Sequence, residues 1–224
     1  KIIVITRKIT SYFKKNNLAN TDKFLYLPNG IDCPNSKLHV ENNQEFNEIV
    51  RKIGFEHLNF SDELIVCVGR MIFKQKAQGM IDFMNAFDKF LTAISKDRPD
   101  GDVSRYKLLY IGDGQFKGLL ENNRNKIQHP NNVFILGYRN DVQQFFQIAN
   151  LSGLTSYIEG FPTVIIESMI SGVPVIGSNV GEIKNIISNC GFVVNAGNIE
   201  EIAQALDRYF QLTPEEREGL SEAS

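Results

Sequence analysis

The 224 residues are 42% hydrophobic and 22% charged with a net charge of -2, which fits a soluble globular protein with a sizeable core and lacks the basic excess of a nucleic-acid binder. No apolar stretch approaches the roughly eighteen residues that span a bilayer, and the N-terminus has no signal-peptide layout. Cys33, Cys67 and Cys190 are far apart and lack metal-ligand spacing, so they read as reduced thiols of a cytoplasmic protein.

The opening KIIVIT is β-branched and reads as a buried strand, as though Lys1 began a fragment of a longer protein. A short helix over 10–16, a strand FLYL and a tight turn at PNGID (28–32) are expected next, with Asn-Gly supplying the turn's positive φ. The polar residues 33–60 read as a linker with some helix. From Asp62 onward, short apolar runs alternate with longer amphipathic segments, the pattern of a parallel sheet covered by helices on both faces. Strands are expected at 63–69, 106–112, 132–137, 150–156 and 173–178, with a shorter one at 191–195. Helices are expected at 78–95, 116–126, 141–149, 163–171, 181–188 and 199–211.

An open parallel sheet binds ligands outside the carboxyl ends of its strands. Those ends carry Gly69-Arg70 with Lys74 and Lys76 close behind, Gly137-Tyr138-Arg139, Ser156 followed by Glu159-Gly160-Phe161-Pro162, and Gly177-Ser178-Asn179. Arg70 is suited to paired hydrogen bonds with a phosphate, and Lys76 adds a point charge. Pro162 suits the first turn of a helix, where the free amides of Thr163 and Val164 meet the positive end of the dipole and favour an anion. Glu167 lies on that same helix among Val164, Ile165, Ile166, Met169 and Ile170, where an unpaired carboxylate is costly. Two vicinal sugar hydroxyls would satisfy it; Glu159 would serve a second sugar in the same way. The plainer alternatives make the lysines solvated residues of a helix entrance, Glu159 a turn residue and Glu167 an exposed helix residue.

Together, PNGID, GRMIFKQK, GYRND and SYIEGFPTVIIESMISGVPVIGSNVGE resemble the retaining glycosyltransferases of family 4, whose GT-B fold sets two Rossmann-like domains around a cleft. The resemblance covers nearly the whole chain, and its most specific element is the glutamate pair of EGFPTVIIE. It implies that 61–212 is the nucleotide-sugar donor-binding domain of a GT-B protein. By the same token, 1–32 would be a remnant of the N-terminal acceptor domain and 213–224 the start of a tail. Arg70 and Lys76, with Lys74 in reserve, would hold the donor diphosphate, Glu159 would face the donor sugar and Glu167 would bind ribose. Gly160 and Phe161 would lie beside the sugar, Thr163 and Val164 near the phosphates, and Gly69, Gly137 and Tyr138 would complete the site, the last two reading the nucleobase through main-chain atoms. No metal or other cofactor is implied, and UDP is the favoured nucleotide. The partners implied are the nucleotide sugar and the missing N-terminal domain, with peripheral membrane association of the full-length protein; the isolated fragment is expected to be inactive.

Where many members read Gly-Gly and then a glutamate, this chain has Gly181-Glu182 and Asn185, so no donor contact is assigned to that loop. Asp100-Gly101-Asp102 imitates the metal-binding DxD of another glycosyltransferase class but precedes a strand, and reads as a polar turn at the far edge of the sheet. Gly112-Asp113-Gly114 is a poor dinucleotide fingerprint because Lys117 stands where a third glycine belongs. A sugar-nucleotide epimerase of the same fold and a non-catalytic nucleotide-sugar binding module are the alternatives that the sequence leaves open.

Overall fold

The computed structural model describes residues 2–4, 6–17, 24–27, 40, 42–97 and 101–223. The turn expected at 28–32 lies outside the described residues, as do Lys1, Cys33, His39 and Asp100. A small parallel pair, β1 (Ile2–Val4) and β2 (Phe24–Tyr26), is joined through α1 (Arg7–Lys15). It is followed by α2 (Asn43–Ile53), which Asn42 caps by accepting from the Glu45 amide and which Gly54 closes at φ +65°. The polar residues 33–60 read as a linker with some helix; α2 is that helix, and it buries Phe46, Val50 and Ile53 against Leu64, Val66, Leu109 and Ile111. Its apolar residues recur at helical spacing, so one face is committed to the core.

The main sheet contains β3 (Glu63–Val68), β4 (Tyr106–Ile111), β5 (Val133–Gly137), β6 (Leu151–Leu154), β7 (Val175–Ser178) and β8 (Gly191–Val194). Their spatial order is β5-β4-β3-β6-β7-β8, and every adjacent pair is parallel. This is the doubly wound order of Rossmann-type sheets, in which the chain reverses direction across the sheet between the first and fourth strands, here β3 and β6. The α/β expectation and all six strands hold, with ends trimmed by a residue or two.

Helices cover both faces. On one lie α3 (Lys74–Asp97), α4 (Lys117–Arg124) and α8 (Ile199–Gln211); on the other α2, α5 (Val142–Ile148), α6 (Thr163–Ile170) and the short α7 (Ile183–Ile187). A last helix, α9 (Pro214–Glu222), begins with Thr213 and Glu216 in a reciprocal capping box. Strand β3 shows why the strands read as unbroken apolar runs: Ile65 and Cys67 pack under α3 while Leu64 and Val66 pack under α2 and α5. Burial also pushes the Cys67 thiol up, so it stays protonated.

Helix α3 starts at Lys74, earlier than the expected 78, which puts Lys76 in its first turn. Within it, Gly79 lies so close to the end of β6 that a Cβ there would stand 2.2 Å from the Thr155 carbonyl oxygen. The Thr155 hydroxyl donates to the Gly79 carbonyl at 2.8 Å. This close crossing brings the start of α3 against the loop that follows β6.

Candidate functional site

The loops after β3, β4, β5 and β6 and the start of α6 enclose a cleft of about 420 Å³ at the strand-order reversal. Its lining includes Gly69, Arg70, Lys76, Tyr138, Glu159, Phe161, Thr163, Val164 and Glu167, all of them residues that the sequence singles out. Gly137 and Gly160 do not line it. The Gly137 carbonyl accepts from the Gly112 amide at 2.7 Å, and the Gly160 carbonyl accepts from the Glu182 amide at 3.1 Å. Lys74 is exposed and also outside the lining, whereas Lys76 lines the cleft.

Lys76 Nζ lies 3.1 Å from Glu159 Oε1 and donates to Oε2 at 3.2 Å. The Glu159 side chain is 8% exposed, so this ammonium compensates a nearly buried carboxylate. Arg70 makes no ion pair with the described residues and presents an exposed guanidinium at the cleft. Glu167 is half-buried, and no described residue hydrogen-bonds its carboxylate. Its helix begins at Thr163, the expected start, with Pro162 at the N-cap at φ -76° and ψ 108°. The first amides of α6 are therefore left to an external acceptor. Two carboxylates, one compensated and one not, thus face an exposed guanidinium and a helix N-terminus.

Arg139 is a different case from Arg70. Its guanidinium donates to both Asp141 oxygens, at 2.8 and 2.5 Å, and to the Ile53 carbonyl at 2.8 Å, and it lies over the Phe145 ring. These hydrogen bonds hold the Asp141 carboxyl below its usual range. Although Arg139 borders the cleft, its charge is spent on tying the end of α2 to the start of α5.

Sequence reasoning missed Val68, Met80, Ile111, Gly112, Val142 and Leu154 in the lining. Gly112 had a signal: it directly follows β4, and the strand-end rule that places the other loops applies to it equally. Its φ is +139°, and a Cβ there would stand 2.0 Å from the Gly69 carbonyl oxygen. The Met71 amide donates to the Asp113 carbonyl at 2.9 Å and the Phe116 amide to the Met71 carbonyl at 3.1 Å. The Gly112-Asp113-Gly114 turn is therefore a support for the Arg70 loop.

The loop from Ser156 to Pro162 is fastened from several sides. Tyr157 Oη donates to Asp82 Oδ2 at 2.7 Å, a bond that pushes the phenol pKa up to about 12 and keeps it protonated. A side chain at Gly181 would collide with the Glu159 carbonyl at 2.3 Å. Glu182, 2% exposed, accepts from the Arg7 amide at 2.8 Å and from Asn185 Nδ2 at 2.8 Å, so it serves α1 and α7 and does not reach the cleft. Asp102 accepts from the Ser104 amide at 2.8 Å in the turn before β4, at the end of the sheet away from the cleft.

A larger hollow of about 680 Å³ lies beside β8, α8 and α9, but none of the loops that follow β3, β4 and β6 reaches it. The cleft at the reversal combines the switch point with the convergent polar groups. The family model for Glycosyl transferases group 1 matches residues 62–211, which includes every loop around that cleft. The chain belongs to this family. Among curated relatives, N-acetyl-alpha-D-glucosaminyl L-malate synthase of Bacillus anthracis is 30% identical over 145 residues, covering 63% of this chain and 34% of that protein. The capsular polysaccharide biosynthesis glycosyltransferase CapM of Staphylococcus aureus is 26% identical over 216 residues, covering 92% of this chain and 51% of that protein. The crystal structure of Anabaena Alr3699/HepE in complex with UDP and glucose superposes with a TM-score of 0.73 at 17% identity, over 98% of this chain and 55% of that one. The chain thus spans about half or less of the length of these proteins, and the structural likeness supports the GT-B type of fold. Among the described residues no helix is long and apolar enough to cross a membrane.

Proposed function

We propose that this group 1 glycosyl transferase chain forms the donor-binding half of a retaining glycosyltransferase. Its donor would be a nucleoside diphosphate sugar, UDP-linked in the first instance, and its acceptor a glycan or lipid-linked glycan at the cytoplasmic side of a membrane. One observation carries the reading: Arg70, the Lys76–Glu159 pair, Glu167 and the N-terminus of α6 meet in a single cleft at the strand-order reversal. A diphosphate carries two or more negative charges, and the exposed guanidinium, the ammonium and the α6 amides are donors matched to it. Negative charge grows on the leaving diphosphate as the sugar departs, so donors already aimed at that position lower the barrier without reorganising. Glu167 is left to accept from the two ribose hydroxyls, and Glu159 from hydroxyls of the transferred sugar. Two matches add support from outside the chain: CapM is named for capsular polysaccharide biosynthesis, and the Anabaena structure holds UDP and glucose.

In this arrangement cations and helix amides take the place of a metal. Calorimetric titration of the chain with UDP, GDP and ADP, then with the matching sugar nucleotides, all in excess EDTA, tests it. Saturable binding of at least one nucleoside diphosphate under chelation is expected. Failure to bind any of the three, or binding that needs added magnesium, would overturn the reading.

A further inference from the structure

Lys76 has two claims on it. In the structure its ammonium compensates Glu159, while its position in the cleft offers the same donors to a diphosphate. An ammonium drawn toward a bound diphosphate restrains Glu159 less, at the moment when Glu159 has to face the sugar. A second restraint on the same loop avoids this conflict. Tyr157 Oη is held by Asp82, which is 5% exposed and whose other oxygen accepts from Gln78 Nε2 at 2.9 Å. Opposite, the turn before α8 closes on the phenol: a Cβ at Gly197, where φ is +78°, would stand 2.4 Å from Tyr157 Oη. Neither Tyr157 nor Asp82 lines the cleft, so neither is drawn on by the nucleotide.

We propose that Tyr157 is a positioning residue, whose hydrogen bond to Asp82 keeps Glu159 directed at the donor sugar while Lys76 engages the diphosphate. The proposal rests on the donor-site reading above. Lys76 and Asp82 both belong to α3, and Glu159 and Tyr157 to one loop, so the loop is pinned to the helix twice, once by a bond that ligand binding competes for and once by a bond that it leaves alone.

The test is calorimetry on the chain with UDP and with UDP-glucose, UDP-galactose and UDP-N-acetylglucosamine, the tightest of the three sugars serving as probe. Tyr157→Phe, which removes one oxygen, is compared with Asp82→Asn, which keeps a neutral acceptor, and with Glu159→Gln. Affinity for UDP is expected to stay within about twofold while affinity for the sugar nucleotide falls about tenfold in Tyr157→Phe, with Asp82→Asn intermediate. The double variant Tyr157→Phe/Glu159→Gln should be no worse than Glu159→Gln alone, because Tyr157 acts through Glu159. Additive losses in the double variant, equal losses for UDP and its sugars, or no loss in either single variant at Tyr157 or Glu159 would overturn the proposal even where the wild-type chain binds UDP. A wild-type chain that binds none of UDP, GDP or ADP would instead overturn the donor-site reading, and the proposal with it.

Discussion

Lys76 Nζ sits 3.1 Å from Glu159 Oε1, joining the first turn of α3 to the loop after β6 across the mouth of the cleft. Removing the lysine takes away a diphosphate donor and strands a carboxylate whose side chain is 8% exposed. Lys76→Ala should therefore weaken UDP binding by about tenfold or more, as expected for loss of a charge-assisted hydrogen bond. Lys74→Ala, on the exposed side of the same turn, should leave it unchanged. Titration of both variants with UDP decides the matter, and an equal effect of the two would show that only general positive charge is felt.

The two glutamates should report through different ligands. Glu167→Gln keeps an acceptor oxygen but loses its charge, so affinity for bare UDP should fall by about 1–3 kcal/mol. Glu159→Gln should leave bare UDP nearly unaffected and weaken the complete sugar nucleotide. If Glu167 serves packing alone, its variant would lower Tm while UDP affinity of the folded protein stays as it was. Equal effects of both variants on UDP would defeat the division of roles.

Gly79 offers a test of how the site is built. In an ordinary helix interior Gly→Ala stabilises by roughly 1 kcal/mol. Here the added Cβ would meet the Thr155 carbonyl oxygen at 2.2 Å, a contact with backbone that cannot swing aside. Overpacking of this kind costs about 1–3 kcal/mol, so it should outweigh the propensity gain. Gly79→Ala should lower Tm and, by pushing α3 from the loop, reduce sugar-nucleotide affinity as well. A raised Tm would mean that the crossing is looser than described.

The Arg139–Asp141 pair sets a pH dependence of stability. Hydrogen bonds from Arg139 hold the Asp141 carboxyl below its ordinary value of 3.8 in the folded protein. The unfolded chain thus takes up a proton at higher pH than the folded one, and the pair's contribution is complete above the ordinary value. It is lost as pH falls through the depressed native value. The Tm difference between wild type and Asp141→Asn should be largest near neutral pH and should close as the medium is acidified below about 3.8. Thermal melts of both proteins along a pH series check this; a difference that persists unchanged into acid would assign the stabilisation to packing.

Sheet class, strand positions and most of the residues that line the cleft could be read from the chain itself. A strand buried on both faces has to be apolar throughout, so ELIVCV and YKLLYI declare themselves whatever surrounds them. The switch-point rule then places Arg70 and Glu159 at the edge where the cleft forms, because the residues just beyond a strand's carboxyl end are fixed by local sequence, while Glu167 joins them from within α6. Helix α2 was harder to place: its polar neighbours disguise a face that only the core reveals, through Phe46, Val50 and Ile53. Pairings between distant segments were not legible at all. The sequence favours Lys76 by resemblance alone and keeps Lys74 in reserve; the physical difference between them comes from the packing of α3 on β6 at Gly79, which leaves Lys76 paired with Glu159 and Lys74 in solvent. Arg139 resembles Arg70 until Asp141 and the Ile53 carbonyl claim it, and Tyr157 has no visible role until Asp82 arrives from another helix. Burial periodicity is written residue by residue along the chain, whereas the partner of a charge depends on which backbones can approach within a few ångströms, and that only the packed tertiary structure decides.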